Sequence, residues 1–142
     1  FSMSQNIKLF VAVKAIIVNE KREVLLLREA STYIDGTNVG RYDVPGGRID
    51  VTESLEDALS REVMEETGLR VLTSNLVDVH DTFNEKGGET WHIIRLFYQV
   101  KCVEGEVVLS KDHDKYQWVS LDGIDDKQEI IQNLIPILQK VR

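Results

Sequence analysis

The stretch from Ser54 to Gly68 restricts this chain more than any other. Ser54 suits an N-cap, with Asp57 three residues on as a variant of the capping box, and Gly68 falls where a left-handed residue closes a helix. The spacing predicts a helix over 54–67. With Leu55 at the origin of a helical wheel turning about 100° per residue, Leu59 falls near 40°, Val63 near 80° and Ala58 near 300°, which defines a buried stripe. Glu62, at about 340°, and Glu66, at about 20°, lie inside that stripe, and Glu65, at about 280°, on its edge. Burying ionised carboxylates without partners is expensive. Residues 53–66 hold six acids and one base, Arg61, so the segment cannot neutralise itself. Basic side chains from elsewhere or a divalent cation must do so. An oxygen-only donor set without His or Cys selects Mg²⁺, Mn²⁺ or Ca²⁺ over zinc. A solvated acidic helix end is the competing account; the position of the acids on the wheel favours metal.

Around this helix the pattern is mostly β. Lys8 to Val18 and Glu23 to Leu27 are aliphatic runs separated by Asn19-Glu20-Lys21-Arg22, and read as a β-hairpin. Val44-Pro45-Gly46-Gly47 must be extended and then turn. Leu69 to Val79 and Trp91 to Val103 read as strands around a Glu85–Gly88 turn, and Glu106 to Leu109 and Tyr116 to Val119 as shorter ones. Apolar residues at 130, 131, 134, 135, 138 and 141 predict an amphipathic helix from Lys127 to the end, with a kink or a late start at Pro136. Strands, helix, strands and helix imply an α/β fold with a mixed sheet sandwiched between helices. At 142 residues the chain suits one domain, 3–142, with residues 1–2 reading as the scar of an expression tag.

Composition removes several function classes. The net charge of −7 and the pI near 5.0 oppose phosphate-backbone binding, so no nucleic-acid partner is expected. No apolar run approaches the roughly 18–20 residues of a membrane span, and Cys102 stands alone without a zinc-like Cys/His cluster. A cytoplasmic protein, monomer or homodimer, is the expectation.

The residues now carry a resemblance. Gly47, five residues, Glu53, seven residues, then Arg61-Glu62-Val63-Met64-Glu65-Glu66-Thr67-Gly68-Leu69 resembles the box of the Nudix hydrolase family without a departure. The strand order on either side is also similar to that family's α/β/α sandwich. The resemblance implies metal-dependent hydrolysis of a nucleoside diphosphate linked to another group, by attack of water on phosphorus. It implies that Glu62, Glu65 and Glu66 are metal carboxylates, that the Gly46 carbonyl adds a ligand, and that Glu53 supports the metal shell directly or through water. Arg61, four residues before Glu65, is expected to hold a carboxylate in place, and Glu62 and Glu65 to serve the catalytic step. Mg²⁺ is the expected ion, with Mn²⁺ as the alternative. The physical need is plain: an anionic pyrophosphate and an acidic protein repel, and cations must bridge them.

Beyond the box, similar family members carry an acid about six positions before the Trp of the last strand. This points to Asp112 as the base, with Asp114 as its rival. His113 reads as an exposed loop residue, with a phosphate or base contact as the other account. Arg28, Arg41 and Arg48 flank the Gly-Gly turn and are candidates to meet anionic oxygens of a nucleotide. Asn133 is similar to an amide with which small MutT-type members read a base edge, since it offers donor and acceptor together. Family markers of ADP-ribose and diadenosine-polyphosphate hydrolases are missing at Phe83-Asn84-Glu85 and Glu85-Lys86-Gly87. A nucleoside triphosphate pyrophosphohydrolase is therefore the leading expectation. An ADP-ribose or nucleotide-sugar pyrophosphatase comes next, and a non-hydrolytic ligand sensor last.

Overall fold

The computed structural model of the chain describes residues 6–32, 38–125 and 129–142; the tag-scar reading of residues 1–2 lies outside them. Its elements are β1 (Ile7–Ile17), β2 (Glu23–Glu29), β3 (Tyr42–Asp43), β4 (Gly46–Arg48), α1 (Leu55–Thr67), β5 (Val71–Lys86), β6 (Glu89–Cys102), β7 (His113–Ser120) and α2 (Leu134–Leu138). They form a four-stranded sheet in the order β4-β1-β6-β5 and a three-stranded sheet in the order β3-β2-β7. The larger sheet is mixed: β1 runs parallel to β6 from Ile7↔Thr90 to Ile17↔Val100, and β4 and β5 join antiparallel.

Alternation along β1 and β2 sorts the core into two layers. Ile16, Val24, Leu26 and Phe97 face Leu134, Ile137 and Leu138 of α2. Val13, Ala15, Ile17, Leu25, Leu27 and Val100 face Ala58, Leu59 and Val63 of α1. Successive strand residues point to opposite faces, so an unbroken apolar run is what a strand covered on both sides requires. The α/β/α layering expected from the sequence is the observed one.

The helix over α1 is also as expected. Ser54 Oγ accepts from the Asp57 N–H at 3.1 Å, and Gly68, at φ 72°, donates its N–H to Met64 O at 2.9 Å. Three elements differ. β1 and β2 share a single bridge, Val18↔Val24, and then part into different sheets, because β1 takes β4 and β6 as its neighbours while β2 takes β3 and β7. The segment 106–109 is no strand: Val108 donates its N–H to the Thr67 carbonyl at 2.8 Å, which ties it to the end of α1 instead of a ladder. The last helix starts late. Asn133 at φ 73° is incompatible with helix, Pro136 then sits in the first turn, where a missing donor costs nothing, and Ile131 instead donates its N–H to the Tyr42 carbonyl. Residues 126–128, within the helix expected from Lys127, lie outside the described residues. No helix among the described residues is long and apolar enough to cross a membrane.

Candidate active site

The edge strand β4 and the second half of α1 meet at two glycines. A Cβ on Gly46, whose φ is 150°, would stand 2.1 Å from the Val13 carbonyl oxygen, and one on Gly47 would stand 2.6 Å from Glu62 Oε1. Glycine at 47 is thus what lets the Glu62 carboxylate lie against the strand. The Gly46 N–H donates to Glu66 Oε1 at 2.8 Å.

Arg61 gathers the other acids. Its Nε and Nη2 donate to the two oxygens of Glu53 at 2.6 and 2.8 Å, its Nη1 to Glu62 at 3.0 Å and to Glu65 at 3.2 Å, and its Nη2 also to the Arg48 carbonyl. Glu53 is further held by the Asp50 N–H. These bonds keep the Glu53 carboxyl low, at about 2, and hold the Arg61 proton more tightly than usual. Glu62 is pushed up, burial outweighing Arg61. Burial, with Glu62 and Asp43 nearby, drives Glu66 up to about 8 despite the Gly46 N–H and Lys14.

Among the described residues no three His, Cys, Asp or Glu side chains stand together as a ready metal cage. The reason is visible in the contacts: Glu53, Glu62 and Glu65 turn to one guanidinium, while Glu66 turns to the Gly46 N–H. The donor chemistry still fits a hard cation. Glu66 is a buried carboxylate with one N–H donor, leaving acceptor sites that such an ion takes.

The remaining candidates scatter. Asp112 is half-buried before β7, its carbonyl accepting from the Ala30 N–H at 2.9 Å. Its rival Asp114 is engaged, since Arg28 grips both of its oxygens at 2.7 and 3.0 Å. Arg28 therefore faces a carboxylate, not open space. Arg41 donates to the Ile130 carbonyl and ties the loop before β3 to the chain leading into α2. Arg48 lies over the rings of Phe10, at 4.4 Å, and Trp91, at 5.2 Å, on the sheet. Asn133 is exposed ahead of α2 with no capping bond of its own.

Sequence reasoning missed Lys14 and Asp43. Lys14, from β1, pairs with Asp43 of β3 at 2.8 Å, and its charge acts on Glu62 and Glu66. His113, expected as an exposed loop residue, instead opens β7 half-buried, and its buried Nδ1 has no hydrogen-bond partner. The available signal was Lys14 itself, a lone charge inside the apolar run Val11 to Ile17. A separate cavity of about 860 Å³ lies at the far end of β1, lined by Ile17, Arg22, Leu72, Cys102 and Trp118 among others, and holds none of the clustered acids.

Comparison with known proteins gives the family and the fold. The NUDIX domain family model matches residues 8–140. The chain is 32% identical over 119 residues to the 8-oxo-dGTP diphosphatase of Escherichia coli, covering 83% of this chain and 84% of that one. It is 34% identical over 102 residues to the mouse 8-oxo-dGDP phosphatase NUDT18, covering 72% of this chain but 28% of that protein's length. It is 25% identical over 127 residues to the ADP-ribose pyrophosphatase of Methanocaldococcus jannaschii, covering 87% of this chain and 71% of that protein. Among solved structures, the MutT NUDIX hydrolase of Burkholderia pseudomallei superposes with a TM-score of 0.77 at 26% identity, covering 95% of this chain and 99% of that one.

Proposed function

The chain belongs to the Nudix family, and on that premise we propose that it is a Mg²⁺-dependent pyrophosphohydrolase of nucleoside triphosphates, of the MutT type, with oxidised guanine nucleotides as preferred substrates. The observation that carries the reading is the convergence of Glu62, Glu65 and Glu66 with Gly46, Gly47 and Arg61 at one edge of the sheet. Likeness to the E. coli 8-oxo-dGTP diphosphatase over most of both chains supports the substrate class.

Glu62, Glu65 and Glu66, with the Gly46 carbonyl, are the residues to hold the metal. Divalent cations are general to the family; Mg²⁺ suits the oxygen donors, and Mn²⁺ would take the same set. When bound, the ion supplies positive charge to the pyrophosphate oxygens and lowers the pKa of attacking water. The chain's own side chains do the rest. Arg61 orients Glu62 and Glu65 and uses Glu53 as its anchor, so Glu53 acts on the site through the guanidinium. Asp112 is the base we assign to the attacking water, since Asp114 is occupied by Arg28.

The test is a Mg²⁺-dependent hydrolysis screen over dNTPs, 8-oxo-dGTP, 8-oxo-dGDP, ADP-ribose and nucleotide sugars, with products resolved by chromatography. Pyrophosphate and a monophosphate from a triphosphate are expected. Two monophosphates from ADP-ribose, with triphosphates untouched, would favour the second reading, which the M. jannaschii relative supports. No turnover of any compound would defeat both.

A further inference from the structure

Lys14 and Arg95 stand on the same face of the larger sheet, opposite the face packed on α1. Ala12 is the partner of Arg95 and Lys14 that of Phe97, so the two cations are diagonal neighbours on adjacent strands. The Lys14 side chain is 13% exposed, and its ammonium lies 2.8 Å from Asp43 Oδ2. Its stem packs on Gly46, the residue whose N–H holds Glu66; a Cβ there would meet Lys14 Cδ at 3.0 Å. Arg95 is half-buried, donates to Thr82 Oγ1 at 2.7 Å and forms no ion pair among the described residues. The acid whose charge acts on it is again Asp43.

Lys14 thus has Asp43 as its ion-pair partner, while its diagonal neighbour Arg95 has none among the described residues. His113 adds the unpartnered ring nitrogen, and Lys14 and Asp43 are among the charges that act on it, so it borders the same space. A partly desolvated guanidinium without an ion pair is costly unless an anion completes it, and an orphaned buried ring nitrogen asks for a partner too. Lys14, next to Arg95 on the sheet, lies at the rim of an acidic cluster that would itself repel an anionic substrate. A ligand that satisfies both is a polyphosphate, bridged by cations to the acids on one side and carrying free oxygens on the other.

We propose that Lys14 and Arg95 form a phosphate subsite, seating an oxyanion of the substrate's polyphosphate chain on the sheet face beside Glu62 and Glu66, with Asp43 holding Lys14 in place. The inference rests on the reading of the site as a nucleotide pyrophosphohydrolase. Arg95 offers a planar fork to two oxygens and Lys14 a point charge to one.

The test uses Lys14→Met and Arg95→Met, which keep the apolar stems. Binding of an α,β-methylene-bridged dGTP analogue with Mg²⁺ is measured by calorimetry, Mn²⁺ binding without nucleotide by electron paramagnetic resonance, and thermal melting alongside. Each variant is expected to weaken analogue binding roughly tenfold or more, raising KM more than it lowers kcat, with Mn²⁺ binding retained. Lys14→Arg should stay within about threefold of the parent. Analogue affinity within about twofold of the parent in both variants overturns the proposal. A parallel loss of Mn²⁺ binding does the same, since it marks a purely structural role. Should Lys14→Met or Arg95→Met fail to fold, Lys14→Gln and Arg95→Gln give the same comparison. If the parent protein ignores the nucleotide analogue, the reading of the function fails instead. Titration with Mg²⁺-pyrophosphate then decides the subsite: side-chain NMR signals of Lys14 and Arg95 that move uphold it, and signals that stay still overturn it.

Discussion

The carboxylate edge at β4 and α1, with Glu53, Glu62, Glu65 and Glu66, and the long β5–β6 hairpin, with Asp78, Asp81, Glu85 and Glu89, hold their acids on opposite terms. In the hairpin each acid has a partner of its own: Asp78 takes Lys140 and His80, Glu89 takes Lys8, Asp81 takes His92, and Glu85 accepts from the Thr90 hydroxyl. What the hairpin leaves unsatisfied is apolar, with Leu76 at 55% exposure and Phe83 at 63%. At the edge Ala58, Leu59 and Val63 are buried and the acids are in excess, three of them sharing Arg61 and Glu66 left with a single N–H. Stability favours the first arrangement. The second is retained where a site must receive cations, and its cost is borne by the rest of the fold.

The contrast breaks most sharply at glycine. Gly46→Ala forces a Cβ into the Val13 carbonyl and should cost more than about 3 kcal/mol, whereas Gly87→Ala at the hairpin turn, with open space around it, should cost about 1–2 kcal/mol for its positive φ. Denaturant titration of the two variants checks the difference. Glu66→Gln should lower kcat by roughly 10²–10⁴-fold while leaving the melting temperature unchanged or higher, because the cost of desolvating an ionisable carboxyl is removed and the acceptor for Gly46 kept. Lower stability in that variant would contradict the account of Glu66 as an acid whose ionisation the fold opposes. Arg61→Ala should cost about 1–3 kcal/mol and most of the activity, with Arg61→Lys recovering part, since an ammonium cannot fork onto Glu53.

The smallest expected effect is one of sign with pH, measured in chelator. Glu66 has its folded pKa raised, to about 8, so its contribution is full below the ordinary value near 4.5 and is lost as pH rises toward 8. Asp78 has its folded pKa lowered, to about 2, by Lys140 first, so its contribution is full above the ordinary 3.8 and is lost as pH falls toward 2. Glu66→Gln should flatten the alkaline slope of stability and Asp78→Asn the acid slope. Exchanged slopes would show that the two regions are not as different as their contacts indicate.

Several of these features are legible in residue order. The caps at Ser54 and Gly68, the acids on the buried stripe and the alternation of β1 are local patterns, with periods of 3.6 and 2. The reading failed where a partner lies far along the chain. Nothing near Arg28 announces Asp114, 86 positions away, and nothing near Arg41 announces the Ile130 carbonyl. The β1–β2 hairpin failed for the same reason, since β6 outcompetes β2 for β1 along its whole length.

Sequence alone determined the family, the α/β layering and the identity of the clustered acids, because each is written in short-range spacing that a single helix or strand enforces. Only the tertiary structure decided which charges meet. It put Arg61 among Glu53, Glu62 and Glu65, and laid Lys14 across Gly46 beside Asp43. Electrostatic energies depend on distance and burial, and chain order specifies neither for residues on different strands.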